Sequence, residues 1–458
     1  MTGYSHNLKF SESGVRGIVG DSLTPMLVSA LASSFGKYVG GGRVIVGRDT
    51  RPTGEMLEHA VIAGLLAVGC QPVILGIVPT PTVQLMVDKY HANGGLAITA
   101  SHNTIEWNAL KFISSSGMFL DRSESAELFD IYSQGDLAFN AESDYREVRY
   151  ENEAFEYHCK KIFEHINVEA IKKCHFKVAV DCCNGVGALF SRNFLERLGC
   201  EVYTVFDRLE GVFERPPEPL EVNLGCLCET VKKHHCAVGF AHDPDGDRMA
   251  LVDNTGRALG TQYTIVLAAE HVLSDSPGPV AVNIQTTRAV EDVAASYGCE
   301  VFYSKVGEIN VVEKMLECGA EIGGEGNSAG VIWRKIHSGR DSYVAMALVL
   351  EMLAQGGESL SDIVGSLPFY SNISRKMPCL PYPAREVILE LSRRYAYAKP
   401  LTFDGLRINF DNGWVLVRSS NTEPVLRLTA EANSEKEATI ILEKFSNEIQ
   451  TLLSEVKK

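Results

Sequence analysis

A polar turn follows a short apolar run in the stretch GLAITASHNTIEWNALKF at residues 95–112. Residues 96–99 have the apolar, partly β-branched composition of a buried strand, and Ser101, His102 and Asn103 come soon after it. Serine and asparagine are common at helix N-caps, so a capped helix start is one interpretation. The other interpretation is that the strand ends here to present the Ser101 hydroxyl as a nucleophile.

Three aspartates alternate across a tight Pro/Gly turn in AHDPDGDRMALVD, residues 241–253. Carboxylates as close as Asp243, Asp245 and Asp247 repel one another unless a cation lies between them. Hard oxygen ligands suit Mg²⁺, which binds few protein groups and completes its shell with phosphate or water. A calcium loop of the EF-hand type needs glycine at its sixth position and glutamate at its twelfth, and this stretch has neither. A solvated acidic turn remains the alternative.

A third stretch, EIGGEGNSAGVI at residues 321–332, places polar side chains among glycines. Glycine allows a ligand to approach the backbone closely, and Glu325, Asn327 and Ser328 can hydrogen-bond to vicinal hydroxyls. The stretch therefore suits a polyol such as a sugar. A glycine-rich helix start is an equally common explanation of the same pattern.

A fourth stretch, VRSSNTEPVLRL at residues 417–428, brings together a guanidinium group, hydroxyls and the amides of a turn. Arg418 and the residues that follow it could bind a phosphate dianion. A capped turn between two regular elements is the alternative. A nucleophile, an acidic metal loop, a polyol loop and a separate phosphate site together indicate phosphoryl transfer to a substrate that keeps a second phosphate bound.

The elements that must position these residues come from a unit that the chain repeats three times. In each copy a Val/Ile-rich run and a small polar turn lead into a helical stretch, and Gly-Cys then precedes a second strand. The copies cover residues 43–76, 177–206 and 279–307. Strands that alternate with helices in this way indicate β-α-β units, so we predict three α/β domains of similar design.

The C-terminal part of the chain has a different pattern. Residues 405–421 predict a hairpin and residues 434–456 an amphipathic helix, which together indicate a smaller α+β domain. Polar or proline-rich segments lie near 134–152, 254–262 and 366–383. They predict domains at residues 1–151, 152–256, 257–368 and 369–458.

The charge and hydropathy of the chain argue against nucleic acid and membranes as partners. The 458 residues carry a formal net charge of −15, which argues against nucleic acid as a partner. The N-terminus lacks the features of a secretory signal, and the apolar stretches are too short to span a membrane. With twelve cysteines, several of them inside apolar runs, the sequence predicts a cytoplasmic protein with reduced thiols. A group of metal-capable side chains occurs at Cys226, Cys228, His234, His235 and Cys236. Their spacing matches neither of the usual zinc-binding patterns, so packing or surface roles are favoured over zinc binding.

The four stretches resemble, in this order and over essentially the whole chain, the loops of the α-D-phosphohexomutase superfamily. TASHN at 99–103 resembles its phosphoserine loop, DPDGDR at 243–248 its metal loop, GEGNS at 324–328 its sugar loop and RSSNTEP at 418–424 its phosphate loop. The segments SGVRG at 13–17, VGRDTRPTG at 46–54 and PEP at 217–219 also match. The resemblance implies three similar α/β domains with mixed sheets and a C-terminal α+β domain like the TATA-binding protein, arranged around a central cleft.

The resemblance also implies a role for individual residues. Ser101 would carry a phosphoryl group, and Mg²⁺ would be held by that group with Asp243, Asp245 and Asp247. The implied catalytic residues are Ser101, His102, Arg16 and Lys111. The implied substrate-binding residues are Arg248, Lys305, Gly307, Glu325, Asn327, Ser328, Arg418, Ser420, Asn421, Thr422 and Arg427.

The implied reaction interconverts a hexose 6-phosphate and a hexose 1-phosphate through a hexose 1,6-bisphosphate. The chain departs from the usual pattern at Thr104 and Ala109, where the family commonly has proline and glycine. Several bacterial relatives carry GEMSGH in the sugar loop and a histidine where Glu308 stands, so the sequence leaves the general base open. The loops most resemble the phosphoglucosamine-mutase-like branch.

Glucosamine phosphate is therefore the predicted substrate. A phosphomannomutase/phosphoglucomutase of broad specificity is the alternative, and a sugar phosphatase or a sugar-phosphate-binding regulator is a distant one. The resemblance leaves a monomer and a homodimer both open.

Overall fold

The first sheet carries the serine stretch. The computed structural model describes residues 7–11, 14–135, 146–209, 211–420 and 424–456. The strands of the first sheet are β1 (Lys9–Ser11), β2 (Gly14–Ile18), β3 (Gly42–Arg48), β4 (Cys70–Ile77), β5 (Gly94–Ile98), β6 (Trp107–Ser114) and β7 (Arg149–Tyr150), and its helices are α1 (Pro25–Tyr38), α2 (Gly54–Ala67), α3 (Thr80–Lys89) and α4 (Arg122–Gln134). The strand order is β1-β2-β6-β5-β3-β4-β7. Strand β3 pairs in parallel with β4 and β5, whereas β6 runs antiparallel to β5.

The second sheet carries the aspartates. Its strands are β8 (Lys177–Asp181), β9 (Glu201–Val205), β10 (Val238–His242) and β11 (Met249–Asp253), and its helices are α5 (Ala154–Phe163), α6 (Val168–Cys174), α7 (Gly187–Arg197) and α8 (Gly225–His234). The strand order is β11-β10-β8-β9. Strand β8 is parallel to both of its neighbours, and β11 is antiparallel to β10.

The third sheet carries the glycine-rich stretch. Its strands are β12 (Val280–Asn283), β13 (Val301–Ser304), β14 (Ile322–Glu325) and β15 (Gly330–Trp333), and its helices are α9 (Tyr263–Asp275), α10 (Ala289–Ser296), α11 (Glu308–Cys318), α12 (Ser342–Gly356) and α13 (Leu360–Ser366). The strand order is β13-β12-β14-β15, again with one antiparallel strand, β15.

The fourth sheet confirms the predicted change of architecture. Its strands are β16 (Ser371–Pro378), β17 (Leu406–Phe410), β18 (Gly413–Ser419) and β19 (Val425–Ala432), and its helices are α14 (Pro381–Arg394) and α15 (Glu435–Val456). The order is β16-β19-β18-β17, with antiparallel pairing throughout. The predicted hairpin is β17 and β18, and the predicted amphipathic helix is α15.

One strand order recurs in the first three sheets, which confirms three α/β domains of similar design. The orders β6-β5-β3-β4, β11-β10-β8-β9 and β15-β14-β12-β13 are equivalent. In each domain the predicted functional loop is the turn into the antiparallel strand: it joins β5 to β6, β10 to β11 and β14 to β15. The serine stretch, the aspartates and the glycine-rich stretch therefore occupy equivalent positions in three similar domains. The exact domain boundaries stay predictions.

The buried apolar residues form several clusters of different size. One continuous cluster of buried residues extends from the second domain into the third, through residues such as Phe240, Ile265 and Tyr343. The fourth domain has its own core, between its sheet and helices α14 and α15. A small cluster of Ile284, Trp414 and Leu416 joins the third and fourth domains. None of the helices in the described ranges combines the length and the apolar character that a membrane crossing requires.

Candidate active site

Ser101 lies three residues beyond the end of β5 at Ile98, in a conformation that is uncommon for serine. Its φ of 47° is in the left-handed region, which costs energy for any residue with a side chain. The backbone N–H of Ser101 donates to Thr99 Oγ1 at 3.0 Å. This turn aims the Ser101 hydroxyl across the domain interface, where it donates to Asp243 Oδ2 at 2.7 Å. The predicted nucleophile and the predicted metal loop are thus in direct contact.

Arg51 holds the serine turn in place, a role that local sequence patterns did not reveal. Its guanidinium group is buried and pairs with Asp49 Oδ2 at 3.0 Å. It also donates to four backbone carbonyls of the turn, those of Ser101 (2.7 Å), Asn103 (2.7 Å), Thr104 (2.6 Å) and Trp107 (3.0 Å). One side chain therefore supplies hydrogen bonds to four carbonyls of the turn, of which that of Thr104 also accepts from Trp107 N at 3.1 Å. The only local signal is the position of Arg51 in the matched segment VGRDTRPTG.

The three aspartates converge as the sequence predicted. Asp243, Asp245 and Asp247 are buried, and one carboxylate oxygen of each lies within 4.8 Å of the others. Asp245 Oδ1 and Asp247 Oδ1 are buried without a hydrogen-bond partner. Burial and the charges of Asp247 and Asp245 raise the pKa of Asp243 well above its usual range. Buried, mutually repelling carboxylates with unpaired oxygens fit a divalent metal ion with oxygen ligands.

Two predicted cations flank this triad. Lys111 Nζ, on β6, lies 2.7 Å from Asp245 Oδ2 and 3.6 Å from Asp247 Oδ2. Although burial opposes ionisation, Lys111 and nearby hydrogen bonds hold the pKa of Asp245 below its ordinary value. Arg248 Nε lies 3.8 Å from Asp243 Oδ2 and 3.7 Å from Asp247 Oδ1, and its Nη1 lies 3.4 Å from Glu218 of the PEP segment.

His102 and Arg16 are both close enough to Arg248 to be influenced by its charge. Arg16 Nη1 is 3.5 Å from Asn103 Oδ1, and burial together with the Arg248 charge lowers the pKa of Arg16. The Arg248 charge, burial and the Arg16 charge lower the pKa of His102 to about 2. His102 is therefore neutral at physiological pH, and its buried Nδ1 has no hydrogen-bond partner. The positive charges of Arg16 and Arg248 could stabilise an anionic group carried on Ser101.

The predicted sugar loop forms one hydrogen-bonded group. Glu325 Oε1 accepts from Gly307 N at 2.7 Å and from Asn283 Nδ2 at 2.8 Å. Asn283, which the sequence did not reveal, also donates to Asn327 Oδ1 at 2.6 Å. The hydroxyl of Ser328 donates to the Glu325 carbonyl at 3.3 Å. Lys305, two residues before Gly307, is exposed.

Arg340 connects this loop to the aspartates and was also missed from the sequence. Its Nη2 donates to Asp247 Oδ2 at 2.7 Å, and its Nη1 donates to Glu325 Oε2 at 2.8 Å and to Ser328 Oγ at 3.2 Å. Its Nε donates to Glu308 Oε2 at 3.0 Å. A charged residue before the apolar helix α12 is the one signal that sequence reasoning could have used.

The fourth predicted loop lies at the edge of the described residues, and Asn421 and Thr422 fall outside them. Arg418 Nε donates to Asp404 Oδ1 at 2.8 Å, and Ser420 N donates to Val425 O at 3.0 Å. Arg427 pairs across β18 and β19 with Arg418, and across β16 with Lys376. Residues opposite one another in antiparallel strands share a face, so Arg418, Arg427 and Lys376 form a row of cations. Like charges in such a row repel, which makes it suited to an anion.

Asp404 links this row to the third domain. Its Oδ2 accepts from Val306 N at 2.9 Å, and the next residue, Gly307, donates to Glu325 of the sugar loop. Lys376 was not predicted from the sequence, since it lies far along the chain from the phosphate loop. Contacts through Ser101, Arg340 and Asp404 thus connect the four predicted loops in sequence.

Comparison with known families gives the same domain plan. The four domain models described for phosphoglucomutase/phosphomannomutase match in order: alpha/beta/alpha domain I at residues 7–138, domain II at 156–256, domain III at 260–370 and the C-terminal domain at 383–448.

Individual relatives match over nearly the whole chain. A Methanopyrus kandleri protein named "Probable phosphoglucosamine mutase" is 36% identical over 453 residues, which cover 98% of this chain and 99% of that protein. A Thermococcus kodakarensis protein named "Phosphoglucomutase/phosphomannomutase" is 38% identical over 443 residues, covering 95% and 96% of the two chains. The crystal structure of a phosphoglucomutase/phosphomannomutase family protein from Burkholderia thailandensis superposes with a TM-score of 0.85 at 26% identity, covering 97% and 98%.

Proposed function

This chain belongs to the phosphoglucomutase/phosphomannomutase family and is a phosphohexomutase, and we propose that it interconverts glucosamine 6-phosphate and glucosamine 1-phosphate through a phosphoryl group carried on Ser101. The observation that carries the role of Ser101 is its 2.7 Å contact with Asp243. It places a strand-end hydroxyl beside a buried carboxylate triad, with Lys111, Arg248 and Arg16 around it.

The proposed reaction consists of two phosphoryl transfers. In the first, the bond between phosphorus and Ser101 Oγ breaks and a bond to the free hydroxyl oxygen of the sugar phosphate forms. The proton of that hydroxyl leaves, and a proton is gained by Ser101 Oγ. The sugar 1,6-bisphosphate then turns in the cleft, and its other phosphate is transferred back to Ser101. The cations around Ser101 stabilise the charge of the moving group in both steps.

Mg²⁺ is the ion that we propose for Asp243, Asp245 and Asp247. The three carboxylates and the two unpaired buried oxygens, Asp245 Oδ1 and Asp247 Oδ1, fit a hard cation that takes few protein ligands. When bound, it would supply positive charge beside the transferring phosphoryl group. Hexose 1,6-bisphosphate is the proposed intermediate, and added in traces it would act as an activator by phosphorylating Ser101.

The identity of the sugar is supported by the M. kandleri relative, whose name specifies glucosamine phosphate. The T. kodakarensis relative favours a second candidate, a mutase that acts on glucose and mannose phosphates, because its identity to this chain is similar. The cytoplasmic location and the choice between monomer and homodimer stay predictions.

The test is ³¹P NMR of the purified protein with Mg²⁺ and a trace of hexose 1,6-bisphosphate. Glucosamine, glucose and mannose 6-phosphates are supplied in separate tubes, with a Ser101→Ala protein as the negative control. We expect conversion of the glucosamine compound to be the fastest. Comparable conversion of glucose and mannose phosphates would instead support the broad mutase, and conversion of none would contradict the proposal.

Arg418→Ala is expected to raise KM by about tenfold or more while kcat changes little, because a charged hydrogen bond to the unreacting phosphate is made in the ground state and the transition state alike. Steady-state kinetics with the preferred sugar phosphate measure this effect. Arg375→Ala is the matched control, since Arg375 is on β16 of the same sheet and pairs with Glu443 of α15 at 2.6 Å. An unchanged KM for Arg418→Ala would mean that the phosphate binds elsewhere.

A further inference from the structure

The backbone that carries Arg340 is fixed by a buried set of hydrogen bonds. Asp341 Oδ1 accepts from Tyr343 N at 2.9 Å and from Val344 N at 3.3 Å, which caps the N-terminus of α12. Its Oδ2 lies 2.6 Å from His158 Nε2 and 3.0 Å from His337 Nε2. Two histidines and a carboxylate are also residue types that bind metal ions. Because the separations are hydrogen-bond distances and Asp341 also caps a helix, we interpret the set as an anchor.

The guanidinium group of Arg340 divides its donors among three parts of the site. One nitrogen contacts Asp247 of the metal loop and another contacts Glu325 and Ser328 of the sugar loop. The third contacts Glu308. The side chain is buried, so water cannot replace these contacts when one of them is lost.

Each carboxylate oxygen of Glu308 accepts a hydrogen bond in this arrangement. Its Oε2 accepts from Arg340 Nε at 3.0 Å, and its Oε1 accepts from Gln84 Nε2 of the first domain at 3.1 Å. Both oxygens of Glu308 therefore serve to hold Arg340 and to join it to the first domain. This leaves Glu308 poorly placed to take a proton from a sugar hydroxyl.

We propose that Arg340 is a positioning residue that couples binding of the sugar phosphate to the metal loop, and that Glu308 is its anchor rather than the general base. The inference rests on the proposed function. Glu325 Oε1 already accepts two hydrogen bonds, so a sugar hydroxyl that donates to this carboxylate meets Oε2, which Arg340 also contacts. Sugar binding then changes the Arg340–Glu325 contact and, through the same rigid guanidinium plane, the Arg340–Asp247 contact.

The experiment measures this coupling without turnover. Mn²⁺, used as a probe for the metal site, is titrated by calorimetry into enzyme that has been dephosphorylated and checked by intact mass. The titration is repeated with saturating glucosamine 6-phosphate, which cannot react because no phosphoryl donor is present. We expect the sugar phosphate to change the Mn²⁺ Kd of the native enzyme by about fivefold or more, the lower end of typical coupling between sites.

Arg340→Lys is the informative variant, because lysine keeps the charge but a single ammonium group cannot reproduce the three-way fork. The change in Mn²⁺ Kd should fall below about twofold in this protein. Arg334→Lys is the matched control, since Arg334 lies in the same domain and donates to the backbone carbonyls of Met315 and Ala320. The inference would be overturned if the sugar phosphate changed the Mn²⁺ Kd of Arg340→Lys as much as that of the native enzyme. It would also be overturned if the sugar phosphate bound to the native enzyme without changing its Mn²⁺ Kd. Either result would leave the proposed function standing. Failure of glucosamine, glucose and mannose phosphates to bind at all would overturn the proposed function as well.

Glu308→Gln tests the second half of the proposal in a protein that keeps nearly the same shape. Gln84 Oε1 is buried without a partner, so the Gln84 amide can rotate and accept from the new amide at position 308. We expect kcat to fall by less than about tenfold, with the same pH profile as the native enzyme. Loss of a general base would lower kcat by about 100-fold to 10,000-fold and remove one limb of the profile, and that result would overturn the assignment of Glu308.

Discussion

Ser101→Ala is expected to lower kcat by about 1,000-fold or more, because the variant has no oxygen to carry the phosphoryl group. The protein should fold normally, since alanine and serine have a similar cost at the left-handed φ of 47°. Turnover is measured by ³¹P NMR, and intact mass reports whether a phosphoryl group is present. The native protein incubated with hexose 1,6-bisphosphate should gain one phosphoryl group, and the variant should gain none.

Ser115→Ala is the control for this experiment, because Ser115 is an exposed serine beyond the end of β6, in the same domain. It should keep both native turnover and phosphorylation. The binding of glucosamine 6-phosphate to Ser101→Ala, measured by calorimetry, should also persist. Substantial turnover by Ser101→Ala would exclude Ser101 as the phosphoryl carrier.

Arg51→Met is expected to destabilise the protein by about 3–5 kcal/mol, because it leaves the buried Asp49 carboxylate uncompensated. Four backbone carbonyls of the serine turn also lose a hydrogen bond. Urea unfolding followed by circular dichroism measures the change as a shift of the first transition, which is the appropriate quantity for a chain of several domains. Residual folded protein should have low activity, since Ser101 is no longer held against Asp243.

Arg43→Met is the matched control for Arg51. Arg43 lies on β3 of the same sheet, is only half-buried, and donates to the single carbonyl of Tyr90 at 2.7 Å. Its loss should cost less than about 1.5 kcal/mol, the usual value of one hydrogen bond. Equal destabilisation by the two substitutions would show that the contacts of Arg51 with the serine turn have no special importance.

The elements of this fold could be predicted because their signals are local. The Val/Ile runs of β3, β8 and β12 and the Gly-Cys pairs before the second strands mark three β-α-β units, and the hairpin of β17 and β18 is visible in its alternating pattern. The Ser101 stretch and the three aspartates were singled out for a similar reason, since their chemistry is concentrated in a few consecutive residues.

Arg51, Arg340 and Lys376 could not be found in this way. Arg51 acts on carbonyls about fifty residues further along the chain, and Arg340 contacts a residue 93 positions away from it. Lys376 joins the row of Arg418 and Arg427 only through strand register. Each of these side chains looks like an ordinary surface cation in the sequence, and only the assembled domains reveal what it contacts.

The apolar cores determine which domains unfold together and which can separate from one another. The second and third domains share one continuous core and should therefore unfold as a single cooperative unit, whereas the fourth domain has a core of its own. The small cluster of Ile284, Trp414 and Leu416 is an apolar contact between the third and fourth domains. The amides of β16 to β19 should therefore keep their protection from hydrogen exchange when this contact opens, because the strands separate from the third domain as one body. The proposed phosphate-binding row of cations should therefore be able to move away from the third domain at a lower free energy than that of global unfolding.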